Sequence, residues 1–210
     1  SDSFEFEYPN KYYTLVIACV TLTIISLLDD IKSIDPILRL IVQMLTIYIS
    51  ISTLDLNIID LPAKLLILFS LVIWIYITNI TNFLDGSDGF LGILFLTIIL
   101  NILLINYISE IKTFSFTICL IMAPVTIVFL YFNKPPAKLY MGDAGSILIG
   151  FLIGFFILEL LTNKYYALAL ALISYPLTDC SISLIKKLYK GYMPWIGLYD
   201  YYFLKPILKN

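Results

Sequence analysis

The chain has 210 residues, of which 60% are hydrophobic and 13% are charged, and its mean hydropathy is +0.96. These values exclude an ordinary soluble domain and indicate a polytopic membrane protein. The small net charge of −2 and the scattered basic residues argue against nucleic acid as a partner. Because the chain has no histidine, acid–base chemistry and metal binding are left to carboxylates, whose hard oxygens favour a cation such as Mg²⁺.

Seven apolar segments are predicted to be transmembrane helices from their length and composition. They cover residues 12–28, 38–54, 64–80, 89–107, 114–131, 145–162 and 165–185. The predicted fold class is therefore all-α, with one transmembrane domain over residues 1–210 and a cytoplasmic or interfacial tail at 186–210. The polar N-terminus lacks the features of a signal peptide, and the chain looks as if it begins partway through a longer sequence.

The distribution of Lys and Arg predicts which helix ends face the cytoplasm. Seven spans place alternate loops and the C-terminal tail on one face of the membrane, at 29–37, 81–88, 132–144 and 186–210. In and beside these segments lie nine of the 13 Lys and Arg residues, so the positive-inside rule predicts that this face is cytoplasmic. Glu159, near the opposite face, is predicted to be an interfacial residue.

Aspartates fall on the predicted cytoplasmic face in three segments, which contain Asp29-Asp30, Asp85 with Asp88, and Asp143. An ionisable group near hydrocarbon depth costs about 2.5–3.5 kcal/mol, so such residues indicate a functional site. We expect the three segments to converge on one site, although they are far apart in sequence. For any single segment the alternative is an ordinary polar loop end.

The aspartate pair, Asp29 and Asp30, ends the first predicted helix and precedes Lys32 and the Asp35-Pro36 turn. Adjacent helical residues point about 100° apart, so the two carboxylates are expected to have different roles. One would face a metal ion, while the other would pair with Lys32 or accept a proton. The alternative is a pair that only marks the membrane boundary.

The second segment ends the third predicted helix with two asparagines and two Asp-Gly pairs. Asn79, Asn82 and Asp85 recur at i, i+3 and i+6 and therefore share one face of the helix end. Gly86 and Gly89 allow the backbone to turn and to approach a ligand closely. An ordinary loop would leave the two asparagines unexplained.

The third segment, residues 133–146, combines cations with an acidic helix start. Its two prolines are expected to stop the fifth helix, while Lys134 and Lys138 offer cations to a phosphate. Asp143 lies at the start of the sixth helix, where small neighbours leave backbone N–H groups open to an anion. The alternative for Asp143 is a simple N-cap.

Carboxylates, carboxamides and lysines at a membrane surface are typical of Mg²⁺-assisted phosphoryl or phosphosugar transfer. The metal would neutralise a pyrophosphate, while a carboxylate activates an attacking phosphate or positions the metal. An ion-coupled transporter is a competing hypothesis. However, coupling carboxylates lie near the bilayer midplane and often in inverted repeats, whereas these lie at one face and no repeat is found.

The three segments resemble the polyprenyl-phosphate N-acetylhexosamine-1-phosphate transferases. This family includes the phospho-N-acetylmuramoyl-pentapeptide transferases and the initiators of O-antigen and teichoic-acid synthesis. The similar parts follow one another in family order over about residues 25 to 190. They are the aspartate pair with its Arg39-to-Gln43 helix, the Asn79-to-Gly89 segment and the Asn133-to-Ser146 segment.

The resemblance implies transfer of a sugar-1-phosphate from a UDP-N-acetylhexosamine to a polyprenyl phosphate such as undecaprenyl phosphate, with release of UMP. The implied location is the cytoplasmic face of a bacterial inner membrane. The reaction would initiate a lipid-linked glycan of the cell envelope, such as peptidoglycan or lipopolysaccharide. Mg²⁺, or alternatively Mn²⁺, is the implied cofactor, and a homodimer is compatible with these features.

The resemblance also implies a role for each matching residue. Asp143 would be the metal ligand. Asp29, Asp30 and Asp85 would be catalytic, with the first two binding or deprotonating the lipid phosphate. Asn82 and Asn133 would contact the nucleotide sugar. The full set predicted to bind substrate is Asn79, Asn82, Asp88, Asn133, Lys134, Lys138 and Lys32.

Two departures from the family pattern give a second hypothesis. The family's helices before the aspartate pair have no counterpart in this sequence, and aromatic residues between Trp195 and Tyr202 stand where the family has a histidine-bearing loop. An inactive relative that binds lipid or partner proteins is therefore the main alternative to an active transferase.

Overall fold

The computed structural model describes residues 9–54, 56, 58, 62–109, 113–189 and 191. This part of the chain forms seven α-helices and no strand, which confirms the predicted all-α class. The helices are α1 (Pro9–Ile31), α2 (Pro36–Ile51), α3 (Ala63–Leu84), α4 (Phe90–Ser109), α5 (Phe114–Asn133), α6 (Gly142–Thr162) and α7 (Tyr166–Tyr189).

Six of these helices are long and apolar enough to cross a membrane, and α2 is the shorter apolar helix of the described part. Its 16 residues give it a length of about 24 Å, against a hydrocarbon core of about 30 Å. The predicted span 38–54 is wrong at its C-terminal end, because α2 stops at Ile51. Helix α7 continues to Tyr189, into the predicted tail, whereas residues 190 and 192–210 lie outside the described part.

Local sequence explains where the helices next to the acidic segments begin and end. The Asp35 carboxylate accepts a hydrogen bond from the Ile37 backbone N–H at 2.8 Å, and Pro36 occupies the first helical position of α2. Helix α5 ends at Asn133, directly before Lys134 and the two prolines, as predicted. These boundaries place the polar segments at helix ends.

Helix α6 is the centre of the bundle and packs against α1, α3, α4 and α7. Its side chains are buried almost without interruption, at Ser146, Ile147 and 149–160. A helix that is apolar on all sides is stable where neighbouring helices surround it. By contrast, α1, α2 and α5 expose large apolar side chains such as Ile17, Ile49 and Val128, which suits contact with lipid.

Two glycines let α3 and α6 approach closely. A Cβ atom at Gly150 would lie 2.8 Å from the Thr78 backbone, and one at Gly154 would lie 2.1 Å from the Trp74 ring. The Trp74 indole N–H donates to the Phe151 carbonyl oxygen at 2.9 Å. Small residues at such crossings permit tight packing of transmembrane helices. The contact fixes the relative position of the two helices that carry most of the site.

Glu159 lies near the C-terminal end of α6, where it is only 4% exposed and therefore buried among the helices. Its Oε1 accepts hydrogen bonds from the Lys11 ammonium at 3.0 Å and the Phe114 N–H at 3.1 Å. Its Oε2 accepts from the backbone N–H of Ser115 at 2.7 Å and from the Ser115 hydroxyl. This carboxylate therefore ties α1, α5 and α6 together.

Candidate active site

The three acidic segments meet at one end of the bundle, as the sequence predicts. Asp30 at the end of α1 contacts the first turn of α6, and Asn82 in the last turn of α3 contacts Ser146 of α6. Asp29 and Asp143 are joined by a residue of α2. Four helices thus bring their ends together around a cluster of carboxylates.

Arg39 is the residue that joins Asp29 to Asp143. Its Nη1 donates to the Asp143 Oδ2 at 2.6 Å and to the Asp29 Oδ2. The second Asp29 oxygen accepts from the Ile34 backbone N–H at 2.7 Å. Asp29 therefore pairs with Arg39, while Lys32, the partner considered from sequence, is exposed.

Arg39 is also the main site residue that sequence reasoning missed. It matched the family pattern, but no role followed from the match. Two features of the sequence could have indicated its role. Arg39 lies just inside α2, close to the aspartate pair, and it is the chain's one arginine. A guanidinium offers several N–H donors in a fixed plane and can join carboxylates that come from different helices.

Asp30 lies at the N-terminus of α6, and its two carboxylate oxygens accept from the backbone N–H groups of Asp143 and Ala144, both at 3.3 Å. Backbone N–H groups and the helix dipole make such an end favourable for an anion. The anion in this structure is the Asp30 carboxylate. Gly142 permits the contact, because its φ is +67° and a Cβ there would lie 3.0 Å from the Asp30 Oδ2.

Asp143 does not cap α6, so the N-cap alternative is wrong. The cap position belongs to Met141, whose own side chain forms no capping hydrogen bond. Asp143 is instead the acidic residue of the first turn, and its carboxylate points to Arg39. The Asp143 backbone N–H donates to the Asp30 carboxylate of α1. Asp143 is thus held from two neighbouring helices.

Asn79 and Asn82 lie one helical turn apart on α3, and each contacts a neighbouring helix. Asn82 Oδ1 accepts from the Ser146 hydroxyl at 2.6 Å. One turn earlier, Asn79 Nδ2 donates to the Gln43 Oε1 at 3.0 Å and to the Ile75 carbonyl oxygen at 2.9 Å. Asn82 therefore faces α6, and Asn79 faces α2. The contacts of both with substrate stay predictions.

Asp85 follows the last residue of α3 and is half-buried. The pKa of the Asp85 carboxyl is raised to about 6, mainly by burial and secondly by the nearby negative charge of Asp143. Asp143 thus has Asp29, Asp30 and Asp85 as charged neighbours, and Arg39 pairs with Asp29 and Asp143. The cluster carries more negative charge than Arg39 can balance.

Asp88 and Asn133 connect two loops next to the cluster. Asp88 accepts from the Ala137 backbone N–H at 2.9 Å. Asn133 is buried, accepts from the Gly89 N–H at 2.9 Å and donates to the Leu139 carbonyl oxygen at 2.8 Å. Both side chains thereby fix the loop after α3 against the loop after α5. Their predicted contacts with substrate stay predictions.

The three lysines predicted to bind substrate, Lys32, Lys134 and Lys138, are exposed. The Lys134 ammonium lies 4.9 Å from the centroid of the Tyr131 ring. With the described residues, none of the three forms an ion pair. Their ammonium groups are therefore accessible to a phosphate ligand.

A hard divalent cation fits the chemistry of this cluster. Its donors are carboxylate oxygens, and their charge exceeds that of Arg39. Within the described residues, no group of three or more Asp, Glu, Cys or His side chains is arranged to hold an ion by itself. Mg²⁺ commonly takes one or two carboxylates and completes its coordination with substrate phosphates and water. Asp143 would serve as such a ligand.

Comparison with known proteins agrees with this geometry. The model of Glycosyl transferase family 4 matches residues 12–161, which include all three acidic segments. A phospho-N-acetylmuramoyl-pentapeptide-transferase of Prochlorococcus marinus (strain MIT 9301) is 36% identical over 121 residues, covering 56% of this chain and 31% of the relative. A probable undecaprenyl-phosphate N-acetylglucosaminyl 1-phosphate transferase of Bacillus subtilis (strain 168) is 32% identical over 124 residues, covering 56% and 34%.

The chain spans about a third of the length of these curated relatives. The family match nevertheless extends over most of the chain and contains the whole carboxylate cluster. The resemblance seen in the sequence is confirmed, and the chain belongs to glycosyl transferase family 4.

Proposed function

We propose that this chain carries the catalytic centre of a transferase that moves a sugar-1-phosphate from a UDP-N-acetylhexosamine to a polyprenyl phosphate and releases UMP. The product would start a lipid-linked glycan of the cell envelope. The observation that carries the proposal is the convergence of Asp29, Asp30 and Asp143 at one end of a membrane bundle, where Arg39 pairs with Asp29 and Asp143 and Asp30 contacts the Asp143 backbone. The printed functions of the similar bacterial proteins support it.

The location of the cluster suits a lipid phosphate. Its residues lie at the ends of α1, α3 and α6, where a membrane lipid presents its headgroup. The excess of Lys and Arg on the same side supports a cytoplasmic orientation in a bacterial inner membrane. A water-soluble nucleotide sugar would then reach the cluster from the cytoplasm.

The reaction exchanges one phosphorus–oxygen bond for another. An oxygen of the lipid phosphate bonds to the sugar-linked phosphorus of the donor, the bond from this phosphorus to UMP breaks, and its electron pair leaves with UMP. Mg²⁺, held by Asp143, supplies charge neutralisation for the pyrophosphate when bound. Exposed Lys134 and Lys138 add positive charge at the phosphates.

Different environments of the aspartate pair support different roles. Asp29 is fixed by Arg39 and by the Ile34 N–H, so we assign it to orienting the cluster. Asp30 is exposed, and its two hydrogen bonds are long at 3.3 Å. We assign Asp30 to accepting the proton of the attacking lipid phosphate.

The test uses the purified chain in lipid nanodiscs with Mg²⁺, undecaprenyl phosphate and a panel of labelled UDP-N-acetylhexosamines. UMP and a lipid-linked sugar are expected with at least one donor, and chelation by EDTA is expected to stop their formation. Folded protein without product from any donor would overturn the proposal. Tight binding of a UDP-sugar without turnover would instead favour an inactive relative.

A further inference from the structure

Gln43 is a buried carboxamide of α2, one helical turn beyond Arg39 and only 1% exposed. Its Oε1 accepts the 3.0 Å hydrogen bond from Asn79 Nδ2. The same Asn79 nitrogen donates to the Ile75 carbonyl oxygen at 2.9 Å. One amide nitrogen thus serves two acceptors, on α2 and α3.

These two contacts fix the orientation of both carboxamides. A backbone carbonyl can only accept, so the Asn79 nitrogen, and not its oxygen, must face Ile75. Gln43 must then offer its oxygen to the second Asn79 hydrogen. As a result, Asn79 Oδ1 points away from both partners, and among the described residues no donor contacts it.

The same orientation leaves Gln43 Nε2 buried without a hydrogen-bond partner in the described part of the chain. A buried unsatisfied donor costs about 1–3 kcal/mol of stability. A methionine of similar volume would avoid this cost. Gln43 is therefore a poor choice for packing alone, whereas it is well suited to hold Asn79.

We propose that Gln43 is a positioning residue, which fixes Asn79 so that Asn79 presents an acceptor oxygen to the bound nucleotide sugar. This inference rests on the proposed function. A nucleotide sugar carries N–H and O–H donors, whereas the phosphate of a lipid or an inorganic phosphate offers mainly acceptors. Asn79 would thus recognise the sugar or nucleoside part of the donor.

The test compares Gln43→Met with Thr46→Val. Thr46 is also buried on α2, but its hydroxyl bonds only to the Val42 and Gln43 carbonyl oxygens of its own helix. The first measurement is the ¹⁵N–¹H spectrum of the Asn79 side-chain amide, assigned by its loss in Asn79→Ala. Gln43→Met is expected to shift this resonance and to speed its hydrogen exchange about tenfold, and Thr46→Val to leave it unchanged.

The second measurement is kinetic. In Gln43→Met the KM for the UDP-sugar is expected to rise about tenfold, with an unchanged KM for undecaprenyl phosphate and a thermal midpoint no lower than that of the wild type. Gln43→Glu, which keeps an oxygen that can accept from Asn79, is expected to keep the KM near the wild-type value. In an Asn79→Ala background, Gln43→Met is expected to have no further effect.

Three results would overturn the inference: an unmoved Asn79 resonance in Gln43→Met, an equal rise in the KM of both substrates, or a changed Mg²⁺ requirement at constant UDP-sugar KM. If the wild-type chain transfers no sugar phosphate, the proposed function fails by itself. In that case, titrations with UDP-N-acetylglucosamine and with inorganic phosphate test the role of Asn79 by binding alone. Only the nucleotide sugar should shift the Asn79 amide, and a shift with phosphate alone would refute the assignment.

Discussion

The two ends of the bundle differ in how completely their carboxylates are paired and hydrogen-bonded. At one end, Glu159 receives four hydrogen bonds, including one from Lys11, and is almost inaccessible. At the other end, Arg39 pairs with two of four neighbouring aspartates, Asp30 forms only long bonds, and Asp85 has a raised pKa. A carboxylate with all its acceptor capacity used stabilises the fold, whereas an under-compensated cluster can bind a cation.

The largest effect is expected from Asp143→Asn at the open end. Loss of this charge should lower the rate of UMP release about 10²- to 10³-fold, because Mg²⁺ would lose the carboxylate proposed to hold it beside the pyrophosphate. The thermal midpoint should change by only a few degrees, since the pair with Arg39 is partly exposed. Initial rates across Mg²⁺ concentrations and a melting curve measure both quantities.

Asp35→Asn is the matched control for this prediction. It removes a carboxylate near the same end of the bundle, yet asparagine is an equally good N-cap for α2. Its rate should stay within about twofold of the wild-type rate. A near-normal rate in Asp143→Asn would remove Asp143 from the site.

Glu159→Gln tests the closed end and should affect stability instead of chemistry. It leaves Lys11 without its ion pair and turns an amide group toward the N–H groups of α5, at a cost of about 3 kcal/mol. A fall in the thermal midpoint of about 6 °C or more is expected. The transfer rate per molecule of folded protein should be unchanged. A wild-type melting curve would disprove the structural role of Glu159.

Gly142→Ala should have an intermediate effect. A side chain at φ +67° costs about 1–2 kcal/mol, and the new Cβ would press on the Asp30 carboxylate. We expect a lower thermal midpoint together with a rate about tenfold lower, because Asp30 is displaced. Gly86→Ala is the stability control, since its Cβ would meet nothing closer than 3.6 Å. Equal melting points for the two variants would contradict this account.

The smallest effect concerns the pH dependence of stability in EDTA. The pKa of Asp85 is about 6 in the folded protein, above its ordinary value of 3.8, so the folded state binds this proton more tightly. Stability should therefore rise as the pH falls from 7 through 6 toward 4, by about 1 kcal/mol, or 2–4 °C. The quantity measured is the difference in thermal midpoint between the wild type and Asp85→Asn at each pH. Parallel curves for the two proteins would exclude the shift.

The helices and the acidic segments were predictable from sequence because hydrophobic length and i, i+3 spacing act within one element. Asn79 and Asn82 lie in the last turns of α3, as their spacing from the end of the apolar run predicts. Their partners on α2 and α6 were not predictable, because the rotation of these helices against α3 depends on packing. Arg39 reaches Asp143 across 104 positions, and Gln43 reaches Asn79 across 36.

The length of α2 and the environment of Glu159 were missed for related reasons. The predicted span runs to Leu54, whereas the helix ends at Ile51, directly before Ser52 and Thr53. A single glutamate at the end of an apolar run gives no indication that Lys11, 148 positions away, neutralises it. Both depend on contacts between segments that are distant in sequence.

The tight contact of Trp74 with α6 gives the protein a built-in optical reporter. The chain has two tryptophans, and Trp74 is fully buried with its indole N–H bonded to the Phe151 carbonyl. In a Trp195→Phe background, all tryptophan emission would come from the α3–α6 crossing. For each substitution above, a constant emission maximum would then show that α3 and α6 remain packed against each other while the chemistry of the site is altered.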